Sequence, residues 1–136
     1  MEENKNYFLL KTALLIYAVV CLVYGISYFF FPDFLVKLSG GEPVFHGWLR
    51  WSGGTLIAFG IGAIMVFQKP KNQGIFVTTI SIGTLLAGLA LLYGWIKSEE
   101  GANIWFTALP TIVVLVLSGL LWWSRQQAKD ILKSAE

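Results

Sequence analysis

Four stretches without a single charged side chain limit what this chain can become. They run from about Thr12 to Phe31, Trp51 to Phe67, Gly74 to Ile96 and Gly101 to Ser124. Each holds about 17 to 24 residues, against the roughly 20 that a helix needs to cross a ~30 Å hydrocarbon core. A helix also satisfies its own backbone hydrogen bonds, which hydrocarbon demands. Composition agrees: 13% of residues are charged, where a soluble domain carries roughly a quarter. Mean hydropathy is +0.66. The pattern predicts an all-α integral membrane protein, a four-helix up-down bundle forming one domain over residues 1–136. It argues against a disordered chain and against a nucleic-acid binder with a basic face. One Cys excludes a disulfide scaffold.

The spans are predicted at 12–31, 43–67, 74–96 and 101–124, with a tail at 125–136. The second begins before its uncharged stretch because Gly40-Gly41 marks a turn and Pro43 suits a first helical position, where its missing N–H costs nothing. Pro70 lies just past its end. The N-terminus reads as a retained first helix rather than a cleaved signal: its charges are mixed and no small-x-small site follows Phe29-Phe30-Phe31-Pro32. Seven of the ten Lys and Arg residues fall in the N-terminal segment, the loop between the second and third spans, and the tail. An even number of spans places these together, so both termini are predicted to be cytoplasmic. Short connections favour antiparallel neighbours. Pro32 to Pro43 is read as a short polar loop, and the tail as either an extension of the fourth helix or a short interfacial one.

Polar and small residues suggest which faces point inward. Tyr17, Cys21, Tyr24 and Tyr28 fall on one stripe of the first helix. The second offers Arg50, Gly53, Gly54, Ile57 and Ile61, with Gly54, Ala58 and Gly62 at small-xxx-small spacing. The third offers Thr78, Ser81, Thr84, Gly88 and Trp95, and the fourth Thr107, Thr111 and Ser118, with Pro110 expected to kink it. Small residues permit close approach, and hydroxyls supply modest interhelical bonds. These stripes form either the seam of the bundle or the lining of a ligand cavity walled by the tyrosines.

One constellation stands out. Glu42, His46 and Arg50 lie at i, i+4 and i+8 at the outer end of the second helix, and Asp33 closes the first nearby. Arg50 is placed near the interface or slightly inside it. An Arg at such depth either snorkels to headgroups or finds a partner; Glu42, Asp33 and Tyr28 are the candidates. The ligand-binding candidates are therefore Arg50, His46, Glu42, Asp33, Tyr17, Tyr24, Tyr28 and Trp95. A single His excludes a multi-His metal site and a bis-His haem, so no metal, cofactor or catalytic residue is assigned. The lone Cys21 lacks the pair an intramembrane disulfide oxidoreductase needs. No Asp or Glu lies within a span, so a carboxylate proton relay is missing. There is no Gly-x-Ser-x-Gly elbow.

The end of the first helix (Tyr24-Gly25, then Phe29-Phe30-Phe31-Pro32), a short loop, and a second helix opening Leu49-Arg50-Trp51-Ser52-Gly53-Gly54 with Gly60 and Gly62 beyond resemble the DoxX-like group. That group comprises small four-helix bacterial membrane proteins. The likeness covers most of the chain in layout, and its specific residues lie in the first two helices. It implies the bacterial inner membrane and an accessory or lipophile-binding role. Sterol-binding relatives use carboxylates within the spans, which this chain lacks. The expected function is non-catalytic, with an outward-facing pocket for a lipid, quinone or similar lipophile. Membrane lipids, a lipophilic small molecule and a membrane-protein partner are the expected associates. The alternatives are an accessory subunit of a larger membrane complex, or an enzyme acting on a lipophile with His46 as acid or base.

Overall fold

A computed structural model describes residues 2–41, 47–97 and 103–133. Among these residues the chain is helical with no strand, in the order α1 (Glu2–Phe30), α2 (Pro32–Ser39), α3 (Gly47–Gln68), α4 (Gly74–Lys97), α5 (Ile104–Gln127) and α6 (Lys129–Leu132). The helices α1, α3, α4 and α5 are each long and apolar enough to cross a membrane. Val23, Met65, Leu86 and Val116, one from each, are all more than half exposed. The expected second span opens at residue 43, but residues 43–46 lie outside the described ones, and its helix is described from Gly47.

The segment read as a polar loop after Pro32 is instead the helix α2. Pro32 has no N–H to continue α1, and its ring would strike the carbonyl four residues back, so α1 stops at Phe30. Phe31 turns the chain at φ −125°, ψ 42°, and Pro32 becomes the first residue of the next helix. Asp33 in the first turn and Lys37 in the last suit the helix dipole. Gly40 ends α2 in the left-handed region at φ 86°, where a side chain would be strained. The Gly41 N–H then donates to the Val36 carbonyl at 3.0 Å. Phe34 and Leu38 of α2 remain exposed. Its last carbonyl, on Ser39, accepts from the Asn103 N–H at 2.7 Å, which ties α2 to the start of α5.

The main contacts are α1 against α3 and α4 against α5, with α1 also packed along α5. Both pairs run antiparallel. A Cβ added to Gly25 would meet Ile57 and the Gly53 carbonyl, and one added to Gly60 would meet Leu22 and Ala18. In the other pair, Gly88 faces Leu115 and Val114, while Arg125 reaches Thr78. Two residues of the small-xxx-small series have neighbours within the chain: Gly62 faces the Phe76 ring and Gly54 faces Phe29. Most seam hydroxyls turn back on their own helix rather than across it. Ser81, Thr84 and Thr111 donate to Val77, Ile80 and Thr107 carbonyls at 2.6–2.7 Å.

The core occupies the end where α1 begins and α5 finishes. Leu10, Ala13, Leu14, Tyr17, Ala18 and Cys21 of α1 meet Ala63, Val66, Val77, Ile80, Leu117 and Leu121. Ala128 and Leu132 close it, because the chain breaks at Ala128 and α6 folds back over the start of α4. The tail is therefore not a plain extension of α5: after Gln127 it forms a separate short helix packed back on the bundle.

Candidate functional site

Burial along the helices is uneven, and this positions the site. In α4 the last buried residue is Gly88, and in α5 the first is Thr111. Past Gly88 in α4 and before Thr111 in α5, none of the described residues is fully buried and several are partly so. The α1 stripe of four aromatic and thiol side chains crosses that boundary. Tyr17 and Cys21 are buried, with the Tyr17 hydroxyl facing the Cys21 thiol and the Thr84 hydroxyl of α4. Tyr17 is thus part of the packed core rather than a cavity wall. One and two turns on, Tyr24 and Tyr28 are only half-buried. Their rings pack edge to face at 5.8 Å, a geometry that aromatic quadrupoles favour.

At the α1–α2 elbow lies an apolar hollow of ≈ 350 Å³, lined by Ser27, Phe31, Phe34 and Leu35. Ser27 follows Tyr24 by three positions and Phe31 follows Tyr28 by three, so the hollow adjoins the tyrosine stripe around α1. The Ser27 hydroxyl donates to the Val23 carbonyl at 2.7 Å, so its proton is turned along α1. The elbow at Phe31 creates the hollow by carrying Phe34 and Leu35 beside the end of α1. None of its four residues stands out in the sequence, because a loop is expected where α2 stands. The run Phe29-Phe30-Phe31-Pro32 is the available signal, since Pro after an aromatic helix end forces such an elbow.

Arg50 takes a partner that the sequence does not suggest. Its Nη1 donates to the Phe29 carbonyl at 2.9 Å. With Pro32 interrupting α1, the carbonyls of its last turn lack intrahelical donors, and the guanidinium supplies one. A cation at a helix C-terminus also meets the negative end of the dipole. Arg50 therefore caps α1 across the α1–α3 crossing, while the rest of the side chain stays exposed. Asp33 is exposed in the first turn of α2, and Trp95 is exposed near the end of α4. Glu42 and His46 lie outside the described residues. Arg50, Asp33, Tyr24 and Tyr28 are all on elements that meet at the α1–α2 elbow. No group of three or more His, Cys, Asp or Glu side chains that could hold a metal occurs among the described residues.

A second cleft, of ≈ 640 Å³, lies at the opposite end of the molecule, where α4 begins. Arg125, Lys129 and Lys133 line it; from the sequence they read as tail cations able to attract anionic lipid headgroups, with no cleft to hold one. Against known proteins, the chain matches no family model, no curated protein and no solved structure.

Proposed function

We propose that this chain is a non-catalytic integral protein of a bacterial inner membrane that holds a lipophilic molecule, such as a lipid or quinone, at its outer end. In this reading α1, α3, α4 and α5 form an up-down bundle with both termini in the cytoplasm. The apolar faces on all four helices favour insertion, and the charge distribution favours that orientation. The resemblance of the first two helices to the DoxX-like group is consistent with the compartment.

The observation that carries the reading is the loss of burial along the tyrosine stripe. Tyr17 and Cys21 are buried, with the Tyr17 hydroxyl facing Thr84 of α4, whereas Tyr24 and Tyr28 are half-buried and continue the stripe toward the ends of α4 and α5, where no described residue is fully buried. Together with the hollow at Ser27, Phe31, Phe34 and Leu35 they offer an apolar, aromatic wall at the outer interface. Among the described residues Arg50 uses one of its five N–H donors, on Phe29, and the others suit a polar head at the rim.

Native mass spectrometry of the protein from nanodiscs tests this reading. A discrete lipophile mass is expected on the wild type, with loss from Tyr24→Ala/Tyr28→Ala and reduced occupancy in Arg50→Ala. An empty wild type, or full occupancy in the double variant, would overturn it. The second reading, an accessory subunit, rests on Gly83 and Gly119, where an added Cβ meets nothing within 4 Å. Such open small positions on lipid-facing helices admit a partner helix. A stoichiometric protein partner in the same spectrum would favour that reading.

A further inference from the structure

We propose that the cleft between the start of α4 and the α5–α6 tail is a binding site for a phosphate group, carried by an anionic lipid headgroup or by a soluble phosphate ester. It lies at the opposite end from the proposed lipophile site and does not depend on it. Asn72, Gly74, Thr78, Thr79, Arg125, Lys129 and Lys133 supply its polar lining, and no acidic residue is among the lining residues. Arg125 is held in place. Its Nε donates to the Thr78 hydroxyl at 2.7 Å, Thr78 donates in turn to the Gly74 carbonyl at 2.6 Å, and the guanidinium stacks over Trp122 at 5.4 Å. The four Nη protons remain for a ligand, in the fork that suits phosphate oxygens. None of Arg125, Lys129 and Lys133 forms an ion pair with a described residue.

The tail is built to bring these cations together. Burial of Ala128 and Leu132 pins α6 across the start of α4, and Lys129 and Lys133 flank that anchor. The approach is so close that a Cβ on Gly74 would stand 3.0 Å from the Leu132 carbonyl. The first N–H groups of α4, at Gly74 and Ile75, lie in the same cleft without intrahelical acceptors, and the helix dipole adds positive potential there. Cations with no ion pair among the described residues, an anchored guanidinium and the N-terminus of α4 thus converge on one cleft.

The test uses the full chain in a neutral detergent, titrated with phosphatidylglycerol and, separately, phosphatidylcholine, with bound lipid read by native mass spectrometry. Phosphatidylglycerol is expected to bind preferentially. Arg125→Gln/Lys129→Gln/Lys133→Gln should weaken it about 100-fold, as loss of three interfacial cations implies. Lys69→Gln/Lys71→Gln, which removes exposed cations at the same end outside the cleft lining, should weaken it less than about 5-fold, because exposed charges out of contact with the headgroup are screened. Thr78→Val keeps every charge but frees Arg125, and should still cost about 5-fold through the lost anchor. Displacement of the lipid by millimolar inorganic phosphate would identify a soluble phosphate ester as the source, and failure to displace it a lipid headgroup. Wild-type affinity in the triple variant, or equal losses in the triple and the Lys69/Lys71 variants, would overturn the proposal.

Discussion

The crossing of α1 and α3 at Gly25 and Gly53 makes a quantitative test of the fold. A Cβ placed on Gly53 would stand 2.7 Å from both the Gly25 carbonyl oxygen and the Phe29 nitrogen, and 3.0 Å from the Tyr28 Cβ. Ordinary contact begins near 3.4 Å, so Gly53→Ala requires the two backbones to part by about 0.7 Å. No flexible side-chain end can yield instead, because two of the three obstacles are backbone atoms. The same separation pulls Arg50 away from the Phe29 carbonyl, stretching a 2.9 Å hydrogen bond. Ala is the better helix former by about 0.8–1.0 kcal/mol, which offsets part of the cost. Overpacking costs about 1–3 kcal/mol, and backbone obstruction places Gly53→Ala at the upper end, for a net loss of about 2 kcal/mol. Reversible unfolding in mixed micelles with increasing dodecyl sulfate, followed by tryptophan fluorescence, measures it. Gly83→Ala is the control, since nothing lies within 4 Å of an added Cβ there, and it should unfold at or above the wild-type midpoint. Gly25→Ala combined with Gly53→Ala should cost less than the sum of the two, because one separation relieves both clashes. Equal midpoints for Gly53→Ala and Gly83→Ala would refute the close crossing.

Other expectations rest on the same contacts. Arg50→Gln should lower stability by about 1 kcal/mol in the same assay, since a charge-assisted bond to the α1 terminus is lost from an exposed side chain. Cys21 is 4% exposed, so the folded protein should resist maleimide for hours and react at once in dodecyl sulfate. Tyr17→Phe should cost about 1 kcal/mol, because it removes the hydroxyl facing Cys21 and Thr84. With Cys21 replaced by Ala, Phe34→Cys and Lys71→Cys should react with an impermeant maleimide from opposite sides of sealed vesicles, Phe34→Cys from the periplasmic side. Labelling of both from one side would contradict the proposed topology.

The four long helices are legible because an uncharged run of span length has few alternatives to a helix, and their ends are marked by Pro32, Pro70 and Gly74. The close-packed glycines of the second span are legible too, since Gly53 has no other evident use. The partner of Arg50 is not. Sequence reasoning pairs its charge with carboxylates or a phenol, and a backbone carbonyl carries no residue signature. That carbonyl is available only because Pro32 ends α1, so the relevant signal is 18 residues away from Arg50. The hollow at Phe31 and Phe34 is hidden for a related reason: α2 is short and amphipathic, and eight residues that open on a Pro and run up to a Gly-Gly pair read equally well as a loop.

The tail shows how spacing misleads when a helix breaks. Arg125, Lys129 and Lys133 stand at i, i+4 and i+8, which on an unbroken helix gives one solvated basic face. Ala128 leaves the helical region at φ −99°, ψ 20°, and Leu132 steers the next turn into the core instead of outward. Lys129 and Lys133 stay exposed, yet together with Arg125 they line a cleft against the start of α4. This also explains why packing is concentrated at one end. The tail, the start of α1 and the start of α4 close the inner half around Leu10, Leu14 and Leu121, while no equivalent element covers the outer ends of α4 and α5 among the described residues. The inner half can then hold the bundle together while the outer half takes the lipophile in the proposed reading. A substitution that loosens the inner core, such as Leu121→Ala, should therefore cost about 2–5 kcal/mol of stability, and one at Tyr24 well under half of that. If Tyr24→Ala proves as costly as Leu121→Ala, the outer half is packed as tightly as the inner and the lipophile reading loses its foundation.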